Sequence, residues 1–285
     1  MNSEEILSAE LAAKHARLNS LLQASGRLLV AYSGGVDSAY LAYAAHEALG
    51  ENMLAVMADS PSLARAQRND AIAFAEEQHI PLEVVRTDEL EKPDYVRNDA
   101  MRCFHCKDEL FTVMEGFRDK HGWKSVAYGV NVDDQGDWRP GQQAARQHGV
   151  SAPLLDAGLT KRDIRRLAEA SGLRVWDKPA SACLSSRIEY GRPVTREKLL
   201  QVEQGEDFLR SMGLRQFRVR HHGDIARIEI ARDELPAVLT VETFARISAA
   251  FRKLGFKFVT LDMEGFRSGS MNSLLPIEQV THRNG

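Results

Sequence analysis

The sequence predicts an α/β protein: a doubly wound, mostly parallel sheet followed by a smaller C-terminal α+β domain. Short apolar runs of strand length alternate with segments of helical periodicity through the first 180 or so residues. A glycine turn separates the first of these runs from the helix behind it, as in nucleotide-binding sheets. After Pro179 the alternation gives way to two neighbouring strand-like runs joined by a short turn, the mark of a hairpin and of a different kind of domain.

The elements follow in order. An amphipathic helix is expected from Glu4 to Gln23, and Arg27 to Tyr32, an apolar run with glycine on both sides, reads as a central strand. A helix running to Leu49 comes next. Then come Met53 to Ala58 (strand), Ser62 to Gln78 (helix), Leu82 to Arg86 (strand), Cys103 to His121 (helix) and Ser125 to Gly129 (strand). Thr160-Lys-Arg-Asp163 has the spacing of a capping box opening a helix that stops at Gly172, and Leu173 to Trp176 reads as a last strand. From Thr195 the order is helix to Met212, strands Leu214 to Arg220 and Ile225 to Ala231 around His222-Gly223-Asp224, helix Val241 to Leu254, and strand Lys257 to Leu261. The domain boundary is placed near residue 190, giving domains 1–190 and 191–285.

Composition narrows the function. Lys and Arg total 37 against 40 Asp and Glu, so no basic field argues for nucleic acid, and a small-molecule partner is the expectation. The N-terminus opens with acids and helical spacing rather than a basic n-region, and the apolar runs are far shorter than a membrane span. The protein is expected to be soluble and cytoplasmic. Three cysteines form no disulfide framework, which turns attention to thiol, metal or cluster chemistry.

Ser33-Gly34-Gly35-Val36-Asp37-Ser38 follows the first strand and opens a helix. Glycines there let backbone amides approach oxyanions, the helix terminus adds positive potential, and the Ser33 and Ser38 hydroxyls are phosphate donors. Asp37 would repel a bare phosphate and makes sense with Mg²⁺. Neither the Walker lysine pattern nor the spaced dinucleotide fingerprint is present in this loop. Asp59 and Ser60 end the second strand, and Gly129, Asn131 and Asp134 follow the fourth, so all fall on the same sheet edge as candidates for nucleotide, metal or substrate. The hexapeptide resembles the signature of the PP-loop ATPases, which include argininosuccinate, GMP and NAD synthetases and tRNA-thiolating enzymes. That resemblance implies ATP cleavage between the α and β phosphates, and so adenylation.

Cys103 and Cys106 make a CxxC at the start of a helix, and Cys183 lies well away in the chain. A CxxC serves as a redox dithiol, half of a zinc site or part of a cluster site, whereas a lone cysteine is commonly a small buried hydrophobe. Three thiolates without a fourth suit an iron-sulfur cluster with one iron left open.

Taken together, SGGVDS, ADSPSL, RCFHCKDELF, YGVNVDD, WDKPASACLSSRI and FRVRHHGDIARIEI resemble the LarE sulfur transferases over nearly the full length. The resemblance implies conversion of the carboxylates of pyridinium-3,5-biscarboxylic acid mononucleotide to thiocarboxylates, with ATP consumed to AMP and pyrophosphate, for a nickel-pincer cofactor. Family members come in two kinds. In one, a lone cysteine in the ACLSSR segment gives up its own sulfur. In the other, that cysteine and a CxxC bind a [4Fe-4S] cluster. With Cys103, Cys106 and Cys183 as ligands this chain resembles the cluster kind, sacrifice of Cys183 being the alternative. Arg187, four residues on, is a candidate to stabilise phosphate charge or the thiolate.

Arg218 and Arg220 alternate with Phe217 and Val219, so they share one strand face as two fork donors suited to a phosphate monoester. The resemblance assigns such arginines to the substrate phosphate, with Arg267 a further candidate, and implies a homo-oligomer, a hexamer in the family. His221 and His222 read as surface or hairpin residues. A tRNA thiolase or an amide-forming synthetase on the same fold is the competing reading; the first would want a basic patch, and the second needs no cysteine set.

Overall fold

The computed structural model describes residues 8–136, 140–179, 182–267 and 270–271. In chain order the elements are helix α1 (Ala9–Ser25), strand β1 (Leu28–Ala31), α2 (Val36–Leu49), β2 (Met53–Asp59), α3 (Arg65–Glu77), β3 (Leu82–Arg86), the short α4 (Pro93–Val96) and α5 (Arg102–His121). There follow β4 (Ser125–Tyr128), α6 (Pro140–Gln147), α7 (Pro153–Asp156), α8 (Lys161–Ala170), α9 (Arg196–Ser211), β5 (Phe217–His222), β6 (Ile225–Ile230), α10 (Val241–Lys253) and β7 (Phe258–Leu261). The chain divides into two units, one of Met1–Asp88 with Cys103–Ser181, the other of Glu89–Arg102 with Ala182–Gly285. The second unit thus starts before residue 190 and takes in a segment from the middle of the first.

The first unit is built on a parallel sheet in the order β3-β2-β1-β4, with Leu28 of β1 in register with Met53 on one side and Ser125 on the other. All four β1 residues are buried, because each face of the sheet is covered by a different layer. Leu28 and Val30 join a core with Leu18 of α1, Leu41 of α2, Phe74 of α3 and Ile164 of α8. Leu29 and Ala31 point the other way, toward Phe111 and Met114 of α5 and Ala144 of α6. The expected doubly wound α/β fold is what forms. The connections from β1 lead to β2 on one side of it while β4 lies on the other, so the C-terminal ends of β1 and β4 flank the point where such sheets bind ligands.

The expected strand at Leu173 to Trp176 does not form. Gly172, at φ 70°, ends α8 and reverses the chain, and Leu173 and Val175 are buried as turn residues. The β4 edge that such a strand would need is engaged instead by Ser151, whose amide donates to Val126 O (2.9 Å) and whose carbonyl accepts from Tyr128 N (3.1 Å).

In the second unit β5 and β6 form the expected antiparallel hairpin, with Gly223 at φ 71° in the turn, and β7 runs parallel to β6. Alternation splits this sheet into two chemically opposite faces. Phe217, Val219, Ala226, Ile228 and Ile230 pack with Leu209 of α9 and Ile247 and Phe251 of α10. Arg218, Arg220, Arg227 and Glu229 occupy the other face. Among the described residues no helix is long and apolar enough to cross a membrane.

Candidate active site

The turn after β1 is held open by hydroxyls and glycines. Ser33 N donates to Ser38 Oγ (3.1 Å), the two hydroxyls lie 3.0 Å apart, and Ser38 Oγ donates to Gly35 O (3.1 Å). Gly34 sits at φ 70°, and a Cβ there would fall 2.4 Å from Ala71 Cβ. Gly129, at the end of β4, approaches so closely that its Cβ would lie 2.8 Å from Ser38 N and 2.9 Å from Ser38 Cα. Only glycine permits these approaches, so the loop presents backbone amides at the start of α2, as a phosphate cradle requires.

Asp37, in the first turn of α2, has one oxygen, Oδ2, 2.5 Å from Lys161 Nζ, while Oδ1 is buried with no partner among the described residues. Burial pushes its carboxyl above the ordinary range, with Lys161 opposing and Asp134 adding to the shift. An orphaned carboxylate oxygen in a phosphate cradle suits Mg²⁺.

The other expected residues on this edge mostly shape loops. Asn131 is buried; its amide donates to Asp134 Oδ2 (3.1 Å) and its Oδ1 accepts from Asp133 N (2.9 Å). Asp59 pairs with Arg65 and Arg68, and buried Ser60 lies 2.7 Å from Ser62 Oγ. Two cations at the cradle were not singled out from sequence. Lys161 sits inside the capping box of α8, and Lys178 donates to Gly34 O (2.8 Å) and pairs with Asp70 (2.5 Å). Lys178 lies within the WDKPAS run; Lys161 carried no signal beyond its place beside a cap.

Cys103 and Cys106 stand one helical turn apart at the start of α5, where i and i+3 share a face. Cys103 is exposed and Cys106 half-buried. Gly141 of α6 packs against this turn, where a Cβ would meet Lys107 Cγ at 3.0 Å.

Cys183 belongs to the second unit, just before a single 3₁₀ turn, Leu184–Arg187. Its Sγ lies 3.0 Å from Ser185 Oγ. Burial pushes the thiol up, but Arg102, the Ser185 hydroxyl and Arg187 together hold it below its usual range. Arg102 is itself buried, donating to Ser185 O (3.0 Å) and to Asn98 Oδ1, and stacks on Tyr190 at 5.2 Å. Asn98, at φ 59°, ties this loop through Nδ2 to the carbonyls of Glu189 (2.8 Å) and Arg192 (2.9 Å). Among the described residues no three His, Cys, Asp or Glu side chains are grouped to hold a metal ion.

Arg187 is not a solvated loop arginine. It is 1% exposed; Nε and Nη2 reach Glu206 (2.9 and 3.4 Å), and Nη1 donates to Ala182 O, Cys183 O and Ser186 Oγ (2.7 to 2.9 Å). Its work is to hold the Cys183 loop.

On the charged sheet face, Arg220 is buried, with Nη2 donating to Glu229 Oε2 (2.8 Å) and Ser270 Oγ (2.9 Å), while its Nε is buried without a partner among the described residues. Arg218 lies 5.0 Å over the Phe266 ring, and burial, with Arg187 and Arg220 nearby, pulls its pKa down to about 10. Arg267 pairs with Asp262 (3.5 Å) and with Glu264. Both histidines belong to the hairpin, as expected: His221 is buried on the opposite, apolar face, and half-buried His222, at the end of β5, pairs with Glu189.

The NAD synthase family model matches residues 14–99, which span the cradle. An uncharacterised protein of Synechocystis is 40% identical over 262 residues, covering 91% of this chain and 98% of the relative. The pyridinium-3,5-bisthiocarboxylic acid mononucleotide synthase of Lactiplantibacillus plantarum is 35% identical over 273 residues, covering 95% and 98%. An uncharacterised protein of Methanocaldococcus jannaschii is 29% identical over 242 residues, covering 85% and 91%. With near-complete coverage of the named synthase and a glycine-built PP-loop at its first strand, the chain belongs to the LarE family of PP-loop ATPases.

Proposed function

We propose that this enzyme activates the carboxylates of pyridinium-3,5-biscarboxylic acid mononucleotide as acyl adenylates and replaces the activated oxygen with sulfur. The observation that carries this reading is the cradle of Ser33 to Ser38 with the orphaned Asp37 Oδ1 inside it, in a chain aligned end to end with a named synthase. Backbone amides there receive the β and γ phosphates of ATP, and Asp37 is the residue that would hold Mg²⁺, which when bound draws negative charge from the phosphates. The substrate carboxylate oxygen attacks the α phosphorus, the bond to the β-phosphate oxygen breaks, and pyrophosphate leaves with that electron pair. A sulfur nucleophile then adds to the acyl carbon and AMP departs.

Arg218 and Arg220 receive the phosphate of the mononucleotide; the buried Nε of Arg220, which has no partner among the described residues, supports this. Arg267, in the loop after β7, pairs with Asp262, which also pairs with Arg227 of that face, and is a lesser donor. Cys103, Cys106 and Cys183 are the residues that would hold a [4Fe-4S] cluster, which when bound supplies an iron site for the transferred sulfide. In support of that ligand set, the two thiols of the CxxC share one helical turn at the start of α5. The second unit also exposes Val241, Phe244 and Phe258, which favours its role in self-association.

The test mixes oxygen-free protein, Mg²⁺, ATP and the biscarboxylated mononucleotide. Pyrophosphate and thiolated product are expected. ATP binding with no pyrophosphate released would sink the reading. Iron and sulfide analysis separates the two sulfur sources: about four irons per chain, lost in Cys106→Ser, is the cluster outcome, and loss of the mass of one H₂S from Cys183 per turnover is the sacrificial one.

A further inference from the structure

Lys161 is the first residue of α8, and its backbone is fixed from several sides. Thr160 Oγ1 accepts from Asp163 N and Asp163 Oδ2 accepts from Thr160 N (3.1 Å each), while Lys14 Nζ of α1 donates to that same Asp163 oxygen (3.0 Å). The Lys161 amide donates to Asp133 Oδ2 (2.7 Å). Its side chain is a different matter. It is 35% exposed, and its ammonium has a contact at 2.5 Å on Asp37 Oδ2, beside the Oδ1 that has no partner among the described residues. The carboxylate is therefore half satisfied, by a point charge on a flexible stem of four carbons.

A magnesium ion and an ammonium compete for that carboxylate. The ion demands near-octahedral oxygens at close range, and ATP brings a polyanion that attracts whatever cation is displaced. A fixed backbone with a mobile ammonium makes this displacement possible without moving α8.

Building on the adenylating role, we propose that Lys161 is an exchangeable cation: it neutralises Asp37 while the cradle is empty and turns onto the β- and γ-phosphate oxygens when the metal nucleotide arrives. No bond to Lys161 forms and no proton moves. Its charge meets the oxygen that receives the electron pair when the α–β linkage breaks, so it stabilises pyrophosphate as the leaving group. Lys178 does not share this role, since its ammonium is held by two anchors at once, Gly34 O and Asp70.

The wild-type chain itself carries one test. Amine acylation followed by peptide mapping should show Lys161 more reactive with Mg²⁺ alone and protected with Mg²⁺ and pyrophosphate together; equal labelling in all states overturns the proposal. Lys161→Met carries the other. By calorimetry its affinity for Mg²⁺ alone should rise, because the competing ammonium is gone. Its pyrophosphate release should fall by roughly 10²–10³ in kcat with a smaller change in KM for ATP, and Lys161→Arg should recover part of the loss. Unchanged Mg²⁺ affinity together with unchanged pyrophosphate release means a static ion pair. If the wild-type chain neither binds Mg·ATP nor releases pyrophosphate, the adenylating role itself fails, which is a separate result.

Discussion

The loop after β1 and the charged face of the β5-β6-β7 sheet both gather donors suited to phosphate, and they are made from opposite materials. The loop uses backbone: glycines at φ 70° and at a sheet end, two serines that bond each other, and one carboxylate balanced by one lysine. The sheet face uses charge. Arg187, Arg218 and Arg220 crowd together, and the buried carboxylates Glu206 and Glu229 offset part of their repulsion. A site made of backbone fails when a single methyl group intrudes; a site made of side chains fails when a buried charge loses its partner.

The largest effect expected from that difference is at Gly129. Gly129→Ala sets a Cβ 2.8 Å from Ser38 N, a backbone atom with no rotamer to escape into, so β4 and the loop must part. Nucleotide binding by calorimetry should fall by 10² or more, about what a displacement of one ångström costs a positioned site. Gly34→Ala should behave alike, its clash with Ala71 compounded by a positive φ. Gly35→Ala, whose Cβ would lie 3.7 Å from Ser33 Oγ, should lose far less. Equal losses at Gly35 and Gly129 would mean that steric closeness is not what makes the cradle.

Second in size is Arg187→Met. It leaves Glu206 buried without its cation, and breaking a buried pair in this way costs about 3–5 kcal/mol. Urea unfolding should show that loss, and adding Glu206→Met should recover most of it, since an apolar pair avoids the desolvation that the ions suffer. A single variant within 1 kcal/mol of wild type, a threshold of the order of a surface pair's worth, would show that water reaches the site.

The same contrast decides what the sequence made legible. The cradle was readable because glycine spacing after an apolar run encodes backbone conformation, which is local. The strand–helix alternation, the hairpin and the alternation of Arg218 and Arg220 with Phe217 and Val219 were readable for the same reason, whereas the strand order β3-β2-β1-β4 is set by non-local pairing. Arg187 was legible as a neighbour of the Cys183 thiolate from its spacing of four, but its burial was not, because that depends on Glu206, nineteen residues on. His221 was legible as a hairpin residue, but its burial was not, because Phe256 and Gln201 cover it from other elements. Lys161 escaped notice because only the folded chain brings it to Asp37, 124 positions away. Leu173 to Trp176 shows the converse failure. Its alternation is real and serves burial, but a strand also needs a free edge, and Ser151 engages that edge.

The smallest effect is carried by two histidines that should respond to pH in opposite senses. His148, in the first unit, is partly buried, which opposes its charge, but Nε2 faces Asp108 (3.1 Å) and Nδ1 faces Glu115 (2.9 Å), and the two carboxylates raise its pKa above 6.5. The folded state binds this proton more tightly than the unfolded chain, so its contribution to stability is full below about pH 6.5 and disappears as pH climbs through the raised value. His221, in the second unit, is pushed down to about 4, by burial first and then by Lys198. Its hydrogen bonds already fit a neutral ring, Nδ1 accepting from Gly223 N (3.2 Å) and Nε2 facing Gln201 Oε1 (2.9 Å). Protonation therefore favours the unfolded chain, and stability falls as pH drops from about 6.5 toward 4. His148→Gln should cost stability at pH 6 and cost nothing at high pH, whereas His221→Gln should flatten the acid limb. Imidazole proton resonances followed by NMR would give both midpoints directly, and a His148 midpoint below 6.5 would show that the two carboxylates do not overcome its burial.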